Sequence, residues 1–188
     1  MEDNIELQEL RDKIDEIQSD LEKSEMCLPF MLGTMLCCIL PEVSVSSEEI
    51  PEEIFDHMKV KEERNRFWQS IEQYRLEKKF DTYTELYEKA HVSHETFGKI
   101  RAMDIEREEK NPDYKPEKET VFQLCLTLKL TLEQATELLK MLGYYFTDMD
   151  LIDRLVSWCL KEKKNYSVET INEELHRRTK VYPFYVPK

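Results

Sequence analysis

The sequence contains only three glycines among its 188 residues. Tight β-hairpins usually need glycine where the backbone adopts positive φ, so the chain has few places for hairpin turns. Leu, Glu and Lys, which favour helices, recur instead at spacings of three and four residues along most of the chain. The sequence therefore predicts an all-α protein.

Cysteine is sparse and shows no metal-binding or disulfide pattern. The five cysteines are odd in number, lie in apolar stretches and form no CxxC pair, which is typical of reduced thiols in a cytosolic protein. The N-terminus also lacks the basic-then-apolar pattern of a secretory signal. The apolar segment, residues 26–40, is shorter than the ~20 residues that cross a bilayer and includes Pro29 and Gly33. We expect a cytoplasmic protein with no membrane attachment.

Motifs for catalysis and metal binding are lacking as well. The sequence has no GxSxG nucleophile motif, no glycine-rich phosphate loop and no HExxH. His91 and His94 have HxxH spacing, but no third ligand of suitable type lies near them in the sequence. This pattern favours a turn residue and a surface histidine. We expect no enzymatic activity, no cofactor and no metal site.

Positive charge is outnumbered, since 27 Lys and Arg face 40 Asp and Glu, a net charge of −13. Such a balance normally disfavours binding to a polyanion, but the distribution is uneven. Residues 1–25 carry ten acidic and three basic side chains, residues 26–79 carry ten and seven, and residues 80–188 carry twenty and seventeen. The last part is nearly neutral and stays compatible with DNA binding.

The first 60 residues are predicted to form an acidic helical attachment. Within it, a helix over 5–25 carries a heptad-like apolar stripe, followed by the apolar segment, which is expected to be buried. The stripe has two possible roles: dimerisation or binding of a partner protein through residues 1–40, or packing on its own domain. The stripe residues are Leu7, Leu10, Ile14, Ile17 and Leu21.

Residues 82–103 have the pattern of two short helices joined by a tight turn. "TYTELYEK" forms the first helix, "AHV" interrupts it, and Ser93 is a good N-cap for the second. Phe97, Ile100 and Met103 are expected to face inward. In helix-turn-helix domains, which this pattern resembles, a small glycine often sits in the turn; His91 takes that position here, and histidine tolerates the left-handed conformation better than most residues.

The order of helices resembles the five-helix, repressor-type helix-turn-helix domain of the lambda repressor and Cro class. More closely, residues 67–176 are similar to a bacterial helix-turn-helix module found alone or C-terminal to macro domains. The matching pieces are "ELYEKAHVSHETFGKIR", "DYKPEKETVFQLCLTLKLTLEQATELL", "LGYYFT" and "YSVETINEEL". The resemblance implies a helix-turn-helix domain over 66–178, with two extra C-terminal helices and a tail at 179–188. No macro domain is present, so ADP-ribose chemistry is not implied.

The same resemblance implies a DNA-binding transcriptional regulator, bacterial or phage, acting as a dimer with the second helix in the major groove. It assigns DNA contacts to Ser93, His94, Glu95, Thr96, Lys99 and Arg101. It assigns supporting phosphate contacts to Lys89, Arg107, Lys110 and Lys115. The alternative is a protein–protein interaction adaptor on a helix-turn-helix scaffold, as in defence or toxin–antitoxin-like systems.

Overall fold

The computed structural model describes residues 2–35, 52–104 and 114–184, with side chains described from residue 5 to 24 and from residue 62 onward in those ranges. Within them the protein is entirely helical, as the sequence predicted, and has no strand. The helices are α1 (Glu2–Met35), α2 (Glu52–Glu77), α3 (Tyr83–Lys89), α4 (His94–Arg101), α5 (Lys118–Thr127), α6 (Leu132–Met141), α7 (Leu151–Lys161) and α8 (Val168–Thr179).

Six of these helices are followed by a residue with positive φ, which lets the chain turn sharply away from the helix axis. Gly143, two residues after the end of α6, adopts φ +66° and donates its backbone N–H to the carbonyl of Lys140. The other five positions hold side chains: Lys79, His91, Lys129, Lys163 and Lys180. Lysine interacts favourably with the negative end of a helix dipole, which partly offsets the cost of the left-handed conformation.

Helix α5 lies at the centre of the protein. It contacts α3, α6, α7 and α8, and six consecutive residues, Val121 to Leu126, are buried. A helix buried on nearly every side must be apolar around most of its circumference, which explains "VFQLCL". The N-terminus of α5 is fixed to α7 by Lys118, whose ammonium group donates to the buried carboxylate of Asp153. These contacts place the residues before α5 beside α4.

Helix α1 packs on its own chain, which is one of the two roles predicted for its apolar stripe. It contacts α7 and α8, and its residues Leu10, Ile14 and Ile17 are buried in the same core as the later helices. Leu7 and Leu21 are half-buried. Residues 5–24 therefore share a hydrophobic core with the predicted helix-turn-helix domain rather than forming a separate unit.

Ion pairs between α1 and the region of α7 and α8 reinforce this packing. The pairs join Glu9 to Lys164, Asp15 to Arg178, Asp20 to Arg154, and Arg11 to Glu174. The last pair is bidentate, with both N···O distances 2.9 Å, and it holds the pKa of Glu174 below its usual value. Acidic residues of α1 thus neutralise cations of the C-terminal helices.

The N-terminal region departs from its predicted boundaries. Helix α1 continues to Met35, so the first part of the apolar segment extends the same helix, and α2 begins at Glu52 rather than near residue 66. The predicted burial of residues 26–40 falls on residues whose side chains lie outside the described part of the chain. No described helix has an apolar stretch long enough to cross a bilayer.

Candidate nucleic-acid interface

The two short helices α3 and α4 are joined by the turn that the sequence predicted. His91 has φ 54°, its N–H donates to the carbonyl of Glu88 at 3.0 Å, and the N–H of Val92 donates to Tyr87 at 2.9 Å. This pair of bonds is a Schellman ending, formed here around a histidine instead of a glycine. It lets the chain leave α3 and start α4 within four residues.

Helix α4 begins at the predicted cap. The Ser93 hydroxyl accepts a hydrogen bond from the N–H of Thr96 at 3.0 Å, and the two hydroxyls lie 2.9 Å apart. Phe97, Ile100 and Met103 are buried as predicted. The cap and the inward face fix how α4 presents its other side to solvent.

The outward side of α4 carries four of the residues assigned to DNA contact. His94 and Glu95 are exposed, while Thr96 and Lys99 are partly exposed. Lys99 forms an ion pair with Glu95 at 2.7 Å, one turn away, and this bond holds the pKa of Glu95 below its usual value. The main cation of this surface therefore has an acidic neighbour of its own.

Arg101 is partly exposed, like Thr96 and Lys99, but its guanidinium leans towards α3. Its guanidinium carbon lies 4.4 Å from the centre of the Tyr83 ring in α3, and its Nε is buried without a hydrogen-bond partner. Arg101 follows Phe97 by one helical turn, which places it on the side of α4 nearest α3. Its assignment as a DNA contact stays a prediction.

The supporting cations are placed unequally. Lys89 pairs with Glu85 at 2.9 Å, whereas the Lys115 ammonium lies 3.8 Å from the centre of the Tyr144 ring. The Tyr144 hydroxyl donates to the carbonyl of Pro116 at 3.1 Å, which positions the segment carrying Lys115. Arg107 and Lys110 lie outside the described residues.

A notch of about 410 Å³ lies between α4 and the start of α5. Two lysines, Lys99 and Lys115, and one acidic residue, Glu117, line it. The remaining polar lining includes the hydroxyls of Ser93, Thr96, Tyr114 and Thr120. Ammonium and hydroxyl donors are the groups that bind phosphate oxygens. Sequence reasoning missed the notch because α4 and α5 are separated by a polar loop.

The histidines and cysteines of the described residues lie apart from one another. No group of three or more His, Cys, Asp and Glu side chains within them could hold a metal ion. His91 lies 3.3 Å from Glu169 of α8 instead of beside a third ligand. Cys125 and Cys159 are buried free thiols, and burial raises the pKa of each to about 12.

No protein-family model matches the chain, and neither the curated proteins nor the solved structures provide a match. The resemblance to repressor-type domains therefore depends on the motifs quoted above and on the local geometry of α3 and α4.

Proposed function

We propose that this protein is a DNA-binding transcriptional regulator that docks α4 in the major groove. The observation that carries the proposal is the position of the notch: Lys99 and Lys115 both line it, beside the exposed start of a serine-capped helix. In helix-turn-helix proteins the first residues of the second helix contact base edges while nearby cations contact phosphates. His94, Glu95 and Thr96 take the first role here, and Lys99 and Lys115 the second.

The number of cations sets the expected strength of binding. Each phosphate neutralised contributes about −0.9 to the slope of log affinity against log salt, so two lysines give a slope of roughly −1.8. That value is small compared with about −10 for a repressor with many phosphate contacts. We therefore expect weak non-specific binding that disappears at moderate salt, and specific binding that depends on α4.

A mobility-shift experiment at two salt concentrations, with random and genomic DNA, tests the proposal. Lys99→Glu with Lys115→Glu should abolish binding, because both changes place carboxylates against the phosphates. Lys161→Glu is the matched control, since Lys161 is an exposed lysine at the end of α7, outside the notch. Absence of binding at the lower salt concentration would rule out the DNA-binding function.

Dimerisation of the regulator is part of the proposal. Because the apolar stripe of α1 packs within its own chain, the dimer contact is expected elsewhere. Leu10, Ile14 and Ile17 are buried within the chain, so the apolar segment is the remaining candidate within residues 1–40. Phe30→Glu with Leu32→Glu should convert a dimer to a monomer in sedimentation equilibrium. A mass that does not change would exclude this segment as the dimer contact.

The second candidate function is a protein–protein interaction adaptor, favoured by the electrostatics. Lys89 and Lys99 are paired with acids within their own helices, and cations near α7 and α8 are neutralised by α1. A protein of charge −13 in which these cations are paired with acids attracts polyanions poorly. Failure to shift DNA, combined with a stable complex with a partner protein, would favour the adaptor.

A further inference from the structure

A second concave surface, separate from the notch, opens between α3 and the side of α4 that carries Gly98. Its volume is about 380 Å³, within the range of small-molecule sites. It is lined by aromatic rings, two guanidinium groups, a glycine, the threonines Thr82 and Thr84, and one acidic residue, Asp81. Its principal lining residues are Arg75, Tyr83, Tyr87, His94, Gly98 and Arg101.

The floor of this pocket is aromatic. The rings of Tyr83 and Tyr87 lie 6.0 and 5.7 Å from that of Phe97, and His94 meets Tyr87 edge-on at 5.7 Å. Trp68 supports the group from α2, with its ring 5.9 Å from Tyr83. Rings packed against one another in this way keep their orientation, so they offer a planar ligand a preformed stacking surface.

The two guanidinium groups differ in what they already bind. Both lie over the Tyr83 ring, Arg75 at 4.7 Å and Arg101 at 4.4 Å. Arg75 donates to both carboxylate oxygens of Glu72 and to the carbonyl of Phe80, so its donors are used within the protein. Arg101 is the group available to a ligand.

The donors of Arg101 have no described acceptor. Its Nε is buried with no hydrogen-bond partner. The positive charge of Arg101 helps to lower the pKa of Glu72, but no ion pair joins the two among the described residues. A buried donor without an acceptor is destabilising, which favours an external acceptor. The planar fork of arginine matches the oxygens of phosphate or carboxylate better than it matches any neutral group.

Gly98 leaves the entrance open. A Cβ built on Gly98 would meet no atom within 4 Å, so the absence of a side chain is not required by packing in the protein. A side chain there would instead occupy the space between His94 and Arg101, which lie one turn before and about one turn after it on the same face of α4. Glycine at this position keeps that space free.

We propose that this pocket binds a nucleotide, with the base stacked on the ring of Tyr87 or His94 and the phosphate on Arg101. Such a ligand has the planar π-face and the anionic oxygens that the lining requires. It could be a free mononucleotide or the phosphorylated end of a single-stranded nucleic acid. The site lies beyond the proposed regulator function, because it needs no duplex DNA and uses a different face of α4 from Lys99.

Calorimetric titration of the full chain with AMP, GMP, CMP and UMP tests this site. Adenosine and inorganic phosphate, titrated separately, supply the base and the anion alone. A short oligonucleotide with and without a 5′-phosphate distinguishes the free nucleotide from a nucleic-acid end. The chain has only three glycines, so the Gly98 amide, assigned through Gly98→Ala, is a convenient NMR reporter of where the ligand binds.

We expect at least one mononucleotide to bind more tightly than adenosine or phosphate and to shift the Gly98 amide. Arg101→Gln should weaken this binding at least tenfold, because it removes charged hydrogen bonds to the phosphate. Lys99→Gln, on the other side of α4, should leave it unchanged. If Arg101→Gln does not fold, His94→Ala replaces an exposed side chain and should also weaken binding.

Two results would overturn the proposal: no heat or amide shift with any mononucleotide up to millimolar concentration, or equal affinity of the nucleotide for Arg101→Gln and the parent. Duplex DNA binding is tested with variants of Lys99 and Lys115, whereas nucleotide binding is tested with a variant of Arg101. Loss of one activity can therefore be distinguished from loss of the other.

Discussion

Replacing Ile14 with alanine distinguishes the two roles open to the apolar stripe of α1. Ile14 is fully buried, whereas Ile5 on the same helix is 70% exposed, so the same substitution at Ile5 is a matched control. The substitution removes three buried methyl and methylene groups, which lowers the free energy of unfolding by roughly 2.4 kcal/mol at about 0.8 kcal/mol for each group. The cavity that remains raises the loss to about 3 kcal/mol. Alanine's better helix propensity, about 0.4 kcal/mol, applies at both positions and cancels in the comparison.

Urea unfolding monitored by circular dichroism measures the effect. Ile14→Ala should lower the free energy of unfolding by about 3 kcal/mol and the melting temperature by roughly 6–12 °C for a chain of this size. Ile5→Ala should change stability by less than about 0.5 kcal/mol. Both values should be independent of protein concentration, because Ile14 is buried within one chain. A loss at Ile14 no larger than that at Ile5, or one that grows on dilution, would refute the intramolecular packing of α1.

Three further predictions concern backbone strain, pH and thiol reactivity. Lys129→Gly should stabilise the protein by up to about 1 kcal/mol in urea unfolding, and Gly143→Ala should destabilise it similarly, because both residues hold positive φ, 49° and 66°. The pKa of Glu72 lies below its usual value of 4.5, chiefly through the hydrogen bonds from Arg75, so ionised Glu72 adds stability that is lost as pH falls below that value. Glu72→Gln should therefore lower stability at pH 7 and leave it less sensitive to acid; equal acid sensitivity would contradict this reasoning. With the three cysteines of the apolar segment replaced by serine, a thiol reagent should modify the remaining two only on unfolding, since burial raises the pKa of both thiols to about 12.

The packing of α1 bears on both proposed functions. Its acids occupy cations that would otherwise add to a positive surface near α7 and α8, which leaves the notch beside α4 as a surface lined by two lysines. A regulator built this way depends on contacts to a few phosphates and on the groove fit of α4. In an adaptor, the same ion pairs would not weaken binding to a partner protein, because that binding does not require positive charge.

Local patterns in the sequence predicted the helices and their ends well. Helix ends depend on interactions within a few residues, so the local sequence is enough to predict them. Examples are the serine cap of α4, the left-handed histidine before it and the glycine after α6. The inward positions of Phe97 and Ile100 follow equally from helical periodicity. These features make up the helix-turn-helix pattern.

The tertiary structure decided what those helices face. The apolar stripe of α1 has the same spacing whether its partner is a second chain or α7 and α8, and only the fold shows that its acids meet cations more than a hundred residues away. Arg101 was expected outside the core and is partly exposed, but only the folded structure shows that its guanidinium lies over the Tyr83 ring, where a cation is attracted to the face of the ring. The sequence alone thus determined where helices begin, end and turn, which is local chemistry. The pairing of distant charges and rings, which shapes both the notch and the proposed nucleotide pocket, required the folded chain.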